Sequence, residues 1–337
     1  MATALTNPAQ FKAIADAIRA KTGETGAIVA DDFATKIAAI PTGVDKPKWK
    51  SPKMGNIMGS TWQIICYGDG KFVIFDDAED GAYSADGIDW TEFMPGVSAN
   101  SICYGDDKFV NVPYVGTSGA YSTDGITWTS MTMPRSLDWT SVCYGRGKFV
   151  AVGTSTVYGA YSTDGITWTS MRLPVSANWA SVCYGDGKFV AVASDSPTTA
   201  VQSTDGIEWT EITMPPINST YAVCYGNGKF VAVAYDSAIA AYSTDGISWT
   251  QTTMPTSAKW VSVCYGNGKF VAVVGDKEAS IDVNFAAYST DGIHWTQITL
   301  PISGVWASVC YGDGKFVAVN VHNGRPICLK DCFDEWA

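Results

Sequence analysis

Over most of the chain, apolar and polar side chains alternate in short runs separated by Gly-, Asp- and Asn-containing turns. This is the pattern of half-buried β-strands rather than of helices. Residues 179–215 show it clearly. Residues 179–184 (Trp-Ala-Ser-Val-Cys-Tyr) alternate and are rich in strand formers, which predicts a first strand. Gly185-Asp186-Gly187 is a tight-turn sequence, residues 188–192 (Lys-Phe-Val-Ala-Val) a second strand and residues 193–199 a polar loop. Residues 200–203 form a third strand. Asp205-Gly206 predicts a type I′ hairpin, because Asp and Gly tolerate the positive φ that this turn requires. Residues 207–212 form the fourth strand, and Met214-Pro215 is expected to end it, since Pro cannot continue a central ladder.

The same unit recurs. Cys-Tyr-Gly-x-x-Lys-Phe-Val occurs seven times, beginning at Cys66, Cys103, Cys143, Cys183, Cys224, Cys264 and Cys310, at intervals of 37 to 46 residues. Between successive copies lies Ser-x-Asp-Gly-Ile-x-Trp, in six clear copies whose aspartates are Asp86, Asp124, Asp164, Asp205, Asp245 and Asp291. A period near 40 residues, with four strands in each, is the signature of one propeller blade. The expected fold is therefore all-β: a seven-bladed β-propeller of four-stranded antiparallel blades. A helical solenoid is excluded because no unit shows a 3.6-residue apolar period, and a β-helix because each unit holds two hairpins. The last unit is irregular, lacking Ser-x-Asp-Gly although Trp336 falls where a fourth-strand Trp is due. Residues 48–52 (Lys-Trp-Lys-Ser-Pro) resemble a fourth strand and its Pro, so they are expected to pair beside the C-terminal blade and close the ring.

The first 43 residues read differently. Asn7-Pro8 is an N-cap followed by Pro, Phe11, Ile14 and Ile18 share one helical face, and Asp31 or Asp32 caps a second helix carrying Phe33, Ile37 and Ile40. The expected organisation is a helical hairpin over residues 1–43 for attachment or oligomerisation, a linker and ring-closing strand over 44–61, and the propeller over 62–337. Two such short helices bury too little surface to be stable alone, so they are expected to dock on the propeller, on other copies or on a partner.

Composition narrows the function. The net charge of −11 removes any general attraction for nucleic acid or anionic lipid. No run approaches the roughly 20 apolar residues of a membrane span, and the N-terminus lacks a secretory signal pattern. Synthesis in the cytosol is expected, with release by lysis or as part of a larger particle. Of nine cysteines, seven fall once per repeat on the first strand, where a ring of small core residues explains them better than a metal or disulfides. Cys328 and Cys332 lie across a turn and are either bonded or free thiols. The Asp-Gly turns offer too few oxygens for calcium. No metal and no cofactor is expected.

Ser-x-Asp-Gly-Ile-x-Trp-Thr resembles the Asp-box of sialidase-type propellers, with one residue fewer between Asp and Gly, over roughly residues 60–320. The resemblance implies that the six aspartates hold the hairpin between strands three and four. It also implies that Trp90, Trp128, Trp168, Trp209, Trp249 and Trp295 pack between blades. The helical segment and the repeats are also similar to tail-fibre and baseplate-associated proteins of phages and prophages of Gram-positive bacteria. A sialidase needs a converging arginine triad, but Arg19, Arg135, Arg146, Arg172 and Arg325 do not share one face in this repeat. With only His294 and His322, a histidine triad or multi-histidine metal site is poorly supported. Asp76, Asp77, Glu79 and Asp80 read as a solvated acidic loop rather than a glycosidase pair. The chain is accordingly expected not to be an enzyme.

Comparing the repeats with one another marks out one face. The one-to-two and three-to-four turns are nearly identical, whereas the two-to-three and four-to-one loops differ, and diversified loops on a constant scaffold are the pattern of a binding face. Candidate ligand residues there are Asp138, Tyr158, Asn178, Asp195, Tyr235, Asp236 and Asp276, with Trp139, Trp179, Trp260 and Trp306 at the start of strand one. These tryptophans either offer stacking faces at the mouth or pack against the next blade; recurrence beside unlike loops favours packing. The expected function is a non-catalytic, tail-associated receptor-binding protein that recognises host-surface glycan or a protein receptor. It would meet other tail or baseplate proteins through residues 1–43, with a homo-oligomer also in view. The alternatives are a structural tail or baseplate component and a glycosidase acting on surface polysaccharide. If the helical segment assembles copies, a chain beginning at Val44 is expected to show a smaller mass than the full chain by size-exclusion with light scattering. Equal protomer numbers would remove the idea.

Overall fold

The computed structural model describes residues 53–54, 61–76, 79–275, 282–321 and 326–328. The helical hairpin expected over residues 1–43, Trp49, residues 329–337 and Asp276 lie outside them. The described residues fall in the compact unit Trp49–Ala337.

They form seven sheets arranged as consecutive blades. Blade 3 is representative: its strands are Trp139–Gly145, Lys148–Gly153, Thr156–Ser162 and Thr169–Ala177, paired antiparallel in chain order. In the second strand burial is continuous rather than alternating: Phe149, Val150, Ala151 and Val152 are all fully buried, because both faces of a mid-blade strand meet neighbouring blades. The first strands lie next to one another around the channel. In blades 3 to 7 each carries a register shift just after its leading residue, as between Trp139 and Ser141, a bulge that bends the strand at the mouth.

Neighbouring blades are joined by one contact repeated around the ring. The tyrosine of each Cys-Tyr-Gly string lies against the glycine of the preceding blade. A Cβ built on Gly145 would stand 2.0 Å from Cγ of Tyr184, and one on Gly312 would stand 2.0 Å from Cγ of Tyr67. Tyr67 belongs to blade 1 and Gly312 to blade 7, so the ring closes by the packing used at every other junction. Trp62, Phe72, Ile74 and Trp90 of blade 1 share a core with Val317 and Val319 of blade 7.

The strand closure expected from residues 48–52 beside residues 329–337 lies outside the described residues. Lys53–Met54, the described strand nearest to residues 48–52, pairs parallel with Asp89–Phe93 on the outer edge of blade 1. Blade 7 shows three strands among the described residues, Trp306–Gly312, Lys315–Asn320 and Ile327–Cys328.

Two local expectations are also revised. The type I′ geometry belongs to the one-to-two turns, where both central residues are left-handed: φ is 44° at Asp186 and 74° at Gly187. In the three-to-four hairpins only the glycine is left-handed, and side chains hold the turn. Asp124 Oδ1 accepts the amides of Ile126 and Thr127 at 2.8 and 2.7 Å, while Ser122 Oγ accepts that of Gly125 at 2.8 Å and donates to Asp124. The network repeats at Asp86, Asp164, Asp205, Asp245 and Asp291. The second revision concerns proline. Thr129–Leu137, Thr169–Ala177, Thr250–Ala258 and Thr296–Gly304 run through their Met/Leu-Pro pairs, whereas Asp89–Phe93 of blade 1 stops before Pro95 and Thr210–Thr213 of blade 4 stops before Pro215 as expected. The fourth strand is an edge, so a missing N–H on its outer side breaks no ladder.

Gly145→Ala is expected to cost about 2 kcal/mol in urea denaturation, through steric overlap with Tyr184. Gly147→Ala meets nothing within 4 Å and carries only the strain of φ +71°, about 1 kcal/mol. The reverse order would refute the contact argument.

The hairpins also predict an acid limb of stability. Partial burial raises the carboxyls of Asp124 and Asp164, but the amide and hydroxyl hydrogen bonds outweigh it and hold both at about 2. At Asp245 the amides of Ile247 and Ser248 act first, with the same result, about 2. A carboxylate depressed in the fold stabilises it above the ordinary value near 3.8 and loses that contribution as pH falls towards 2. The urea midpoint should drop over this window, and a triple Asp→Asn variant at positions 124, 164 and 245 should show a flatter acid limb.

Candidate functional site

The mouth of the channel lies on the face of the two-to-three and four-to-one loops, which are tied together by backbone bonds such as Thr154 N–H to Asp138 O at 3.0 Å. In each first strand the residue after the leading position sits at this mouth. Around the ring these are Gln63, Asn100, Thr140, Ala180, Tyr221, Val261 and Ala307, lining a cavity of about 350 Å³. The next residue inward is Ser101, Ser141, Ser181, Ser262 or Ser308 in five blades, and Ile64 or Ala222 in the other two.

The serines stitch the ring. Ser101, Ser141, Ser181 and Ser262 accept the amides of Val142, Val182, Val223 and Val309 of the next blade at 3.0 to 3.2 Å. Asn100 Nδ2 donates to Trp139 O at 2.6 Å, and Thr140 Oγ1 lies 2.6 Å from Trp179 O.

A wider recess of about 780 Å³ opens from the mouth over blades 1 and 2, shared by Gln63, Asn100, Thr140 and Tyr221 and extended by Glu79, Ser98, Tyr114 and Val115. Tyr114 is 65% exposed, Val115 59% and Tyr221 40%, which makes this the apolar part of the surface nearest the channel. Tyr221 packs beside Tyr235 with ring centroids 5.4 Å apart, and Lys259 Nζ stands 4.8 Å over the Tyr235 ring. The recess thus combines amide, hydroxyl and carboxylate groups with phenol faces, a set that suits a polar ligand carrying some flat apolar surface.

The sequence candidates separate on this map. Tyr235 lies at the mouth. Asp138 is exposed beside it, and Asp236 is exposed in a turn with φ 58°. Asn178 and Asp195 fasten loops: Asn178 Oδ1 accepts Ser155 N–H at 2.9 Å and its hydroxyl at 2.8 Å, and Asp195 Oδ1 accepts Asn178 N–H at 2.9 Å. Tyr158 sits away from the mouth, on the third strand of blade 3 beneath Arg135.

Trp139, Trp179, Trp260 and Trp306 are fully buried, and the indole N–H groups of Trp139, Trp179 and Trp306 donate to Gly116 O, Thr156 O and Val283 O. They offer no stacking face, and the packing alternative describes them. Asp76, read as part of a solvated loop, is buried and accepts the Asp80 amide at 2.8 Å, closing that loop; Glu79 is the member that reaches the recess.

The reading of loops alone missed Gln63, Asn100, Thr140 and Tyr221. A signal was present: within the nearly constant first strand, the residue after the leading position differs more from blade to blade than its neighbours.

The remaining reactive side chains lie elsewhere. Burial pushes the Cys66 thiol up to about 12 and raises the other six ring thiols as well, so all seven are held protonated, and none is bonded to another cysteine. Cys328 is buried; Cys332 and His322 lie outside the described residues. His294 is exposed on the opposite, hairpin face, with Nδ1 2.7 Å from Asp291.

No family model and no curated protein matches the sequence. Among solved structures, virginiamycin B lyase from Staphylococcus aureus superposes with a TM-score of 0.70 at 14% identity, covering 80% of this chain and 95% of the lyase. A streptogramin B lyase gives 0.72 at 12%, covering 83% and 96%. YCF48 bound to D1 peptide gives 0.66 at 12%, covering 85% and 96%. Another of these structures holds a catalytically inactive form of the staphylococcal lyase with quinupristin. None of them is a phage tail protein, and neither the phage context nor the Asp-box assignment gains support from them. The expectation that the chain is not an enzyme is corrected: solved structures that share this fold include lyases, so lacking a sialidase-type arginine triad does not exclude catalysis. At this identity the likeness establishes the seven-bladed propeller fold and nothing finer.

Proposed function

We propose that the chain is a ligand-binding propeller whose site is the channel mouth and the recess over blades 1 and 2, and that its ligand is a glycan on a host-cell surface, met as part of a phage or prophage tail. The observation that carries the reading is the contrast along the first strands. The inward position is serine in five of seven blades, while the mouth position runs Gln63, Asn100, Thr140, Ala180, Tyr221, Val261, Ala307. A ring built from near-identical units has no packing reason to diversify that one position, whereas an asymmetric ligand does. Exposed phenols beside amides and hydroxyls match the flat faces and hydroxyl groups of pyranoses. The tail context rests on the resemblance carried by residues 1–43 and by the repeats.

Glu79 is the carboxylate among the residues lining the recess, and the lyases that share the fold favour a second reading in which the same mouth turns its ligand over. An array of bacterial surface glycans, followed by assay for released reducing ends, separates the readings. Binding by the full chain, weakened about tenfold by Tyr221→Ala and unchanged by Ile247→Ala on the hairpin face, is the expected result. Reducing-end release abolished by Glu79→Gln would establish turnover. A silent array together with capture of other virion proteins would favour a structural tail component instead.

A further inference from the structure

A second site lies on the same face, at the outer end of the cleft between blades 2 and 3. Arg135, on the fourth strand of blade 2, places its guanidinium carbon 3.6 Å from the centroid of the Tyr158 ring of blade 3. Its Nε donates to Ser170 Oγ at 2.8 Å. Arg172, paired across the strands with Tyr158, has its own guanidinium carbon 5.9 Å from the same ring. Two of the chain's five arginines thus meet at one tyrosine.

The repeat shows that this is a local departure. At the cross-strand register of Tyr158 and Arg172 the other four-stranded blades carry Ser118 and Thr132, Thr199 and Thr213, Ile239 and Thr253, and Phe285 and Thr299. The fourth-strand member is threonine in all four, so the blade folds without arginine there. In a chain with 33 acidic residues, a structural arginine would readily find a carboxylate. Among the described residues neither Arg135 nor Arg172 forms an ion pair, whereas lysines elsewhere do, as Lys71 does with Asp69 at 3.1 Å.

Stacking on the ring fixes the Arg135 plane, and the bond to Ser170 fixes its rotation, leaving its terminal N–H groups without a protein acceptor among the described residues. Like charges brought together in this way repel, and an oxyanion removes the repulsion while accepting from both guanidinium groups.

We propose that Arg135, Arg172 and Tyr158 form an oxyanion-binding site for the carboxylate or phosphate group of an acidic ligand. It stands apart from the channel mouth and does not depend on the glycan reading. The test follows the arginine Nε–H resonances of the full chain by NMR, assigned with single Arg→Lys variants, while inorganic phosphate or glucuronate is titrated in at low ionic strength. The Arg135 and Arg172 signals should move together and saturate with a dissociation constant of about 1–10 mM. Arg146, whose guanidinium bonds Thr204 O at 2.9 Å on the opposite face, should stay still. The relative response to the two probes identifies the preferred oxyanion.

Arg172→Thr, which installs the residue of the other blades, should weaken binding about tenfold with an unchanged melting temperature, and added salt should weaken it further. Absence of saturation with both probes, equal movement of Arg146, or full binding by Arg172→Thr would each overturn the proposal.

Discussion

Around the channel, the ring of each Cys-Tyr-Gly tyrosine occupies the space where the preceding blade's glycine would carry a Cβ, from Tyr104 on Gly68 through to Tyr67 on Gly312. Because blades meet face to face, the spacing of this innermost contact sets how closely first strands approach, and hence how many blades close the circle. Any side chain larger than hydrogen would push two blades apart at the narrowest radius, where displacement is amplified outward. The contact needs two residues adjacent in sequence, one to give and one to receive, so every blade carries both halves. The junction between blades 7 and 1 carries the same contact, Tyr67 on Gly312.

Outside that contact, the blades are held by chemistry that each repeat also supplies for itself. Phenylalanines of the second strand and tryptophans of the hairpin fill the wedge between blades: Phe75 of blade 1 meets Trp128 of blade 2 edge-on at 4.9 Å. Serines one residue inside the mouth accept amides from the first strand of the next blade, satisfying polar groups that would otherwise be costly to bury. The hairpin aspartates perform the same service at the other face. Two of the three layers of polar bonding are therefore spent on the scaffold, leaving the loops and the mouth position free to vary.

This division explains how one architecture can serve several purposes. Lyases and a peptide-bound propeller share the fold with this chain at 12–14% identity, which is what a self-sufficient scaffold allows. The residues that distinguish this chain are those the scaffold does not use: Gln63, Tyr114 and Tyr221 around the mouth, and Arg135 and Arg172 at the blade 2–blade 3 cleft. In both places the departures come from different blades and converge only because the blades are wrapped into a circle.

The sequence by itself determined the all-β propeller, its seven blades and the division into a constant and a varied face, because these follow from contacts within one repeat or between identical neighbours. Only the tertiary structure decided which varied residues face a ligand. Trp139 and Tyr221 both belong to the openings of first strands, yet the first is fully buried and the second 40% exposed, since they occupy successive positions whose side chains point to opposite sides. The contact of Tyr67 on Gly312 at the seam was likewise visible only there. So was the path of the fourth strand through its proline, which is tolerated because that strand is an edge. Tyr158 was visible in the sequence as a loop aromatic, but its two arginines lie 23 residues before it and 14 after it on different blades. Their meeting depends on blade curvature and inter-blade distance, quantities that no local pattern of residues encodes.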